Sequence, residues 1–236
     1  MAEKKKVSSG FQICENTSFV IKEAFKRLRT NLLLALPESD EKKCNVIGIT
    51  SAQPSEGKST VAINTAYSLA ELGEQVLLID ADMRRPSIHA KLDMPVEAGL
   101  SDLLMNSNNI SGIIKQYKGS SKGVGFDVIT SGGFPDNPSE MLTSARMKKL
   151  LEALSEVYRY IILDLPPIGA VSDAIVVGKS KMDGVIVVVR ENKCPADTFD
   201  ECIEQLRFAQ INILGFVVNG STEKAAKKYK YSKYEY

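Results

Sequence analysis

The chain has 236 residues, 44% of them hydrophobic, which suits one large α/β domain or two small ones. Thirty basic residues against 29 acidic ones leave a formal charge of +1, so no global field argues for a nucleic acid or an acidic partner. The apolar runs all fall well short of the ~20 residues that cross a bilayer, and Cys14, Cys44, Cys194 and Cys202 form no C-x-x-C pair, which excludes the usual zinc and disulfide patterns.

Met1-Ala2-Glu3-Lys4-Lys5-Lys6 is followed by no apolar stretch, so no signal peptide is expected, and residues 1–19 read as an arm. From Val20 to Leu36, Ile21, Phe25, Leu28, Leu32 and Leu36 recur at helical spacing, and Pro37 ends that helix. After a polar connector, the run 46–50 reads as a strand, residues 58–72 as a helix closed by Gly73, and 76–80 as a second strand, together a βαβ unit. Further strands are expected at Phe126–Thr130, Tyr160–Asp164, Gly184–Arg190 and Ile213–Val218. Between them, one helix from Met141 to Val157 is expected, opened by Asn137-Pro138-Ser139-Glu140, with Asn137 as cap, Pro138 at the first helical position and Glu140 completing a capping box. Near-continuous apolar strands alternating with helices predict an α/β fold, a mostly parallel sheet covered on both faces, with residues 20–222 as one domain and 223–236 as a tail.

The most informative stretch is Ala52-Gln53-Pro54-Ser55-Glu56-Gly57-Lys58-Ser59-Thr60, between the first strand and its helix. A turn leaving a buried strand and opening a helix points several backbone N–H groups at one spot, where the helix dipole adds positive potential. With the charge of Lys58, this is the construction of a P-loop, except that Ala52 occupies the position of the first glycine. Pro54, Ser55, Glu56, Gly57, Lys58, Ser59 and Thr60 are therefore expected to hold the phosphates of ATP.

Magnesium beside those phosphates needs hard oxygen ligands, and ligands in a parallel sheet bind at the carboxyl ends of strands. Asp80 closes one strand, with Asp82 two residues on, and Asp164 closes another before Pro166-Pro167. Asp164 is thus expected beside the metal, with Asp80 and Asp82 as site residues next to it and Lys58 on the phosphates. If the chain stays extended beyond Asp80, Arg84 points to the same side. His89 is the chain's single histidine and no G-x-S-x-G is present, so a carboxylate beside the metal, Asp80, is the available base. Asn219 and Arg190, past two other strands, are expected to border the base of the nucleotide, or to be ordinary strand-end polar residues.

The last eight residues hold four of the chain's eight tyrosines, Tyr229, Tyr231, Tyr234 and Tyr236, among lysines. Such a segment cannot bury itself, so disorder is expected. It reads as a solvated tail, as a basic-aromatic patch for lipid or single strands, or, beside a site that positions ATP, as a set of phosphate acceptors.

These residues resemble the bacterial protein tyrosine kinases of capsule and exopolysaccharide biosynthesis, in their separate cytoplasmic form. The resemblance runs from about Val20 to Tyr236 and includes Glu23 to Asn31, the loop at 52–60, Leu78-Ile79-Asp80-Ala81-Asp82-Met83-Arg84-Arg85-Pro86, Asn137-Pro138-Ser139-Glu140, Ile162 to Pro167 and the terminal tyrosines. It implies a P-loop NTPase fold, ATP and Mg2+ as cofactors, and autophosphorylation of the tyrosine cluster in trans within a ring-shaped homo-oligomer. It also implies a membrane-anchored activator acting through its cytoplasmic tail, a cognate tyrosine phosphatase, no nucleic acid, and a cytoplasmic location at the inner face of the membrane. Lys58 and Ser59 match the residues on phosphate and magnesium, Asp80 the base, and Asp82 and Asp164 the metal-supporting pair. Glu23, Lys26 and Arg29 match the ring-building motif, with a lysine where the family has an arginine and so without its bidentate fork. The rival reading is a partition- or septum-type ATPase switch of the same fold class. Those proteins carry a second lysine just after the first loop glycine position, where this chain has Gln53.

Overall fold

The computed structural model describes residues 17–36, 44–105, 109–119, 123–169 and 182–221. The arm up to residue 16 and the segment from residue 222 onward, with all four terminal tyrosines, lie outside the described residues. In chain order the elements are α1 (Phe19–Ala35), β1 (Asn45–Ser51), α2 (Lys58–Ala70), β2 (Val76–Asp80), α3 (Ile88–Lys91), α4 (Leu100–Met105), α5 (Ile110–Ile113), β3 (Lys115–Lys118), β4 (Gly125–Ile129), α6 (Pro138–Thr143), α7 (Ala145–Ser155), β5 (Tyr160–Asp164), β6 (Gly184–Arg190), α8 (Ala196–Phe208) and β7 (Ile213–Asn219). The strands form one sheet in the order β3-β4-β2-β5-β1-β6-β7. Every pairing is parallel except that of β3 with β4.

The central strands are apolar on both sides because helices cover both faces. Leu77 and Ile79 of β2, Ile161 and Leu163 of β5, and Val185 and Val187 of β6 pack with α4, α7 and α8. The alternate residues, Val76 and Leu78, Tyr160 and Ile162, Ile186 and Val188, pack with α1, α2 and α3. This period of two decides where the strand-end carboxylates point. Asp80 follows Ile79 and Asp164 follows Leu163, so both side chains fall on the α2 face, the face on which Lys58 begins its helix. Burying each large aliphatic side chain contributes roughly 1.5–3 kcal/mol, so the polar cluster at the strand ends rests on a rigid apolar floor.

Three features depart from the sequence reading. The expected helix 141–157 is two helices, α6 and α7, broken at Ser144, whose backbone is extended (φ −64, ψ 154). Ser144 accepts from the Met147 amide at 3.2 Å and donates to the Met141 carbonyl at 2.6 Å, ending one helix and capping the next. Asn137 does occupy the N-cap with Pro138 just inside, but its side chain makes no capping bond. Second, β3 was not expected, because Lys115-Gln116-Tyr117-Lys118 has no apolar run. It is a short, lysine-bearing edge strand, held partly by Tyr117 against Phe126 with ring centroids 5.3 Å apart. Third, the chain does not stay extended past Asp80. The Asp82 carboxylate accepts from the Arg85 amide at 3.0 Å, an Asx-type turn that sends Arg84 outward to the Ser139 hydroxyl at 3.2 Å.

Because Ser144 carries the cap and Asn137 does not, Ser144→Ala is expected to destabilise the protein by about 1 kcal/mol, and Asn137→Ala by clearly less. Urea unfolding midpoints measure the difference; equal shifts would rule out the split-helix account.

Candidate active site

The loop between β1 and α2 owes its shape to two residues with positive φ, Ser55 at 66° and Gly57 at 102°. Gly57 is the N-cap of α2, and its left-handed backbone suits glycine. Ala52 stands at the first glycine position without strain because its own φ is not positive. The close approach there falls to Gly169, whose amide donates to the Ala52 carbonyl at 3.2 Å and where a Cβ would lie 2.6 Å from that oxygen. The 13 residues of α2 direct the positive end of a helix dipole toward the loop.

Lys58 is buried at that helix start. Its Nζ lies 2.7 Å from Asp82 Oδ2 and 3.3 Å from Asp164 Oδ1. Asp80 and Asp164 are register partners on adjacent parallel strands, both fully buried. Burial, and then the charge of Asp164, push the Asp80 carboxyl up to about 8. Burial also raises Asp164, against the opposing pull of Lys58 and a hydrogen bond from Ser59. For Lys58, burial acts to lower the ammonium, but Asp164 and Asp82 outweigh it and the net direction is upward. Asp80 also does structural work: it accepts from the amides of Asp82 (3.3 Å), Ser87 (3.1 Å) and Ile88 (3.0 Å), anchoring the start of α3.

The donor set fits magnesium. Asp164 Oδ2 is a buried oxygen without a hydrogen-bond partner, at a place where an unpaired carboxylate oxygen is costly. Among the described residues no three acidic, histidine or cysteine side chains converge as a ready cage. Magnesium needs none, since it is commonly held by one or two carboxylates together with phosphates and water.

The remaining expected site residues divide. Pro54 and Ser55 are exposed at the loop tip, Thr60 is half-buried in the first turn of α2, and Glu56 is fully buried. Arg190 and Asn219 do reach the loop, but they bond its backbone: Arg190 Nη1 donates to the Ser55 carbonyl at 3.4 Å, and Asn219 Nδ2 to the Glu56 carbonyl at 2.8 Å. His89 lies in the short helix α3, half-buried. On α1, Glu23 and Lys26 pair with each other at 2.8 Å, exposed to solvent. Arg29 instead docks α1 onto α2 through the Ser68 carbonyl at 2.6 Å and Glu71 at 3.5 Å. One residue was not foreseen: Lys91, half-buried on α3, whose ammonium is lowered by burial and feels the charges of both Asp164 and Lys58. Among so many lysines, nothing in the sequence marks it.

A family model described as an AAA domain matches residues 44–212. The chain is 37% identical over 221 residues to the tyrosine-protein kinase Etk of Escherichia coli strain K12, a match covering 94% of this chain and 29% of Etk. It is 35% identical over 214 residues to the tyrosine-protein kinase YwqD of Bacillus subtilis, covering 91% of this chain and 85% of YwqD. The solved kinase domain of Etk superposes with a TM-score of 0.78 at 37% identity, over 86% of this chain and 76% of that one. The septum site-determining protein MinD of Pyrococcus horikoshii, complexed with Mg-ADP, superposes at 0.60 with 20% identity over 78% and 76%, and shares the fold alone. No helix among the described residues is long and apolar enough to cross a membrane. The P-loop fold, the sheet order and the similarity over most of both chains to YwqD agree, and the chain belongs to the family of bacterial tyrosine-protein kinases.

Proposed function

We propose that this protein transfers the γ-phosphoryl group of ATP to the tyrosines of its own C-terminal cluster, Tyr229, Tyr231, Tyr234 and Tyr236, each subunit acting on a neighbour's tail. The observation that carries the reading is Lys58 at the start of α2, held between Asp82 and Asp164 with Asp80 beside them. The transition state of phosphoryl transfer needs positioning and charge neutralisation more than covalent chemistry. Lys58 exchanges its two carboxylate partners for the outer phosphates, and the amides at the loop and helix start receive the rest. Ser59, Asp80, Asp82 and Asp164 would hold magnesium, which when bound neutralises phosphate charge. In its ionised form Asp80, whose affinity for a proton is raised by burial, orients the incoming phenol and accepts its proton. Arg190 and Asn219 border the nucleotide.

The same reading covers regulation and partners. The protein is a ring-like homo-oligomer in the cytoplasm, drawn to the inner face of the membrane by the cytoplasmic tail of a membrane-anchored activator and reset by a tyrosine phosphatase. It controls capsule or exopolysaccharide synthesis. The stretch from Lys224 to Tyr236 holds five lysines and one glutamate, and four phosphates of roughly −1.5 to −2 each reverse its sign. That reversal drives the tail out of a phosphate-binding site. The switch-ATPase alternative is disfavoured by Gln53, which stands where those proteins carry a second lysine.

Mass spectrometry of tail peptides after incubation with Mg-ATP tests the reading: wild type gains phosphate on the tyrosines, while Lys58→Met and Asp80→Ala lose it. Persistent modification in Lys58→Met would remove the kinase assignment.

The base assignment also has a titration consequence. Between the ordinary carboxyl value near 4 and about 8, folded Asp80 keeps a proton that the unfolded chain has released. Its contribution to stability is therefore present at low pH and lost as pH rises toward 8. In nucleotide-free protein with chelator present, the melting temperature of Asp80→Asn relative to wild type should climb from pH 6 to 8 and then level off. A gap independent of pH would contradict the raised carboxyl.

A further inference from the structure

Glu56 is fully buried although its neighbours in the loop, Pro54 and Ser55, are exposed, and the chemistry above gives its carboxylate no task. We propose that Glu56, Arg190 and Asn219 form a clasp from the tips of β6 and β7 that sets the peptide planes of the phosphate loop. They are then positioning residues for the polyphosphate and not readers of the base. The inference rests on the nucleotide reading of the loop and assigns these three side chains a different job within it.

In a trans peptide, the carbonyl of one residue and the N–H of the next point in opposite directions. Arg190 Nη1 draws the Ser55 carbonyl and Asn219 Nδ2 draws the Glu56 carbonyl toward the tips of β6 and β7. The N–H groups of Glu56 and Gly57 are thereby turned away from those tips. Arg190 and Asn219 are register partners on neighbouring strands, and the Glu191 amide bonds the Asn219 carbonyl at 2.9 Å, so the two tips are fixed to each other.

The Glu56 carboxylate completes the clasp. One oxygen accepts from the Gln53 amide at 2.9 Å, closing the turn, and the other from the Arg190 amide at 3.4 Å. The turn so held contains Ser55 at a φ of 66°, a conformation that a non-glycine residue keeps only when its surroundings impose it. Asn219 is committed at both ends of its amide, since its Oδ1 accepts from the Gly220 amide at 2.9 Å. It also lies directly over Gly57, where a Cβ would collide with its nitrogen. An amide engaged in this way is poorly placed to read an adenine edge, and well placed to aim the Gly57 N–H.

The test is calorimetric titration of the full chain with three magnesium-loaded probes: tripolyphosphate, a non-hydrolysable ATP analogue and the matching GTP analogue. Asn219→Ala is expected to weaken tripolyphosphate and the ATP analogue by the same factor, about tenfold, the scale of one directed hydrogen bond. The preference between the ATP and GTP analogues stays as in wild type. Arg190→Ala, which truncates an exposed side chain and so leaves the core intact, should act in the same direction and more weakly. Unchanged tripolyphosphate binding in both variants overturns the clasp, and a collapse of base preference in that setting assigns the residues to the base instead. Wild-type protein that takes up none of the probes overturns the nucleotide reading itself, and the clasp with it.

Discussion

The site depends on one electrostatic constraint, a single buried ammonium placed among three buried carboxylates. Lys58 reaches Asp82 and Asp164 directly, and Asp80 is the register partner of Asp164. With every group ionised the cluster would carry two uncompensated negative charges in a place from which water is excluded, where such charges are expensive. The protein relieves this by holding the Asp80 carboxyl near neutrality and by three amide hydrogen bonds to it. What remains is a pocket that is electrostatically incomplete, with one carboxylate oxygen of Asp164 unpartnered.

That cluster can exist because the sheet beneath it is built on strict alternation. Had β2 or β5 been one residue longer before its aspartate, the carboxylate would have turned to the opposite face, among Leu100, Met147 and Leu151. The apolar faces therefore do more than stabilise the fold. They determine that Asp80 and Asp164 converge on the start of α2, and they keep the floor of the site dry enough for burial to shift the carboxyls.

The region from Asp80 to Leu92 joins structure to chemistry. Asp80 anchors the start of α3 and Asp82 closes the turn leading to it, while both belong to the carboxylate cluster around Lys58. A movement of α3 is thereby tied to the hydrogen bonding, and so to the proton affinity, of the Asp80 carboxyl. Lys91, on the same helix, lies within the fields of Asp164 and Lys58.

Much of this was legible in the residues themselves. The apolar runs placed six of the seven strands within one residue at each end, and the helix of the first βαβ unit within two. The loop from Ala52 to Thr60 and the strand-end aspartates announced the site because local chemistry requires glycine at a turn and carboxylates at strand ends. The tertiary structure alone decided matters that hinge on contacts between distant segments. It turned Arg84 away from the site, since the Asx-type turn at Asp82 overrides extension. It committed Arg29 to α2, broke the helix at Ser144, and paired the polar strand β3 against β4. It brought Arg190 and Asn219 onto the backbone of a loop well over a hundred residues earlier in the chain. Periodicity reports which face of an element is apolar, but not which carbonyl a strand-end side chain will meet, because that depends on the register and order of strands the sequence leaves unstated.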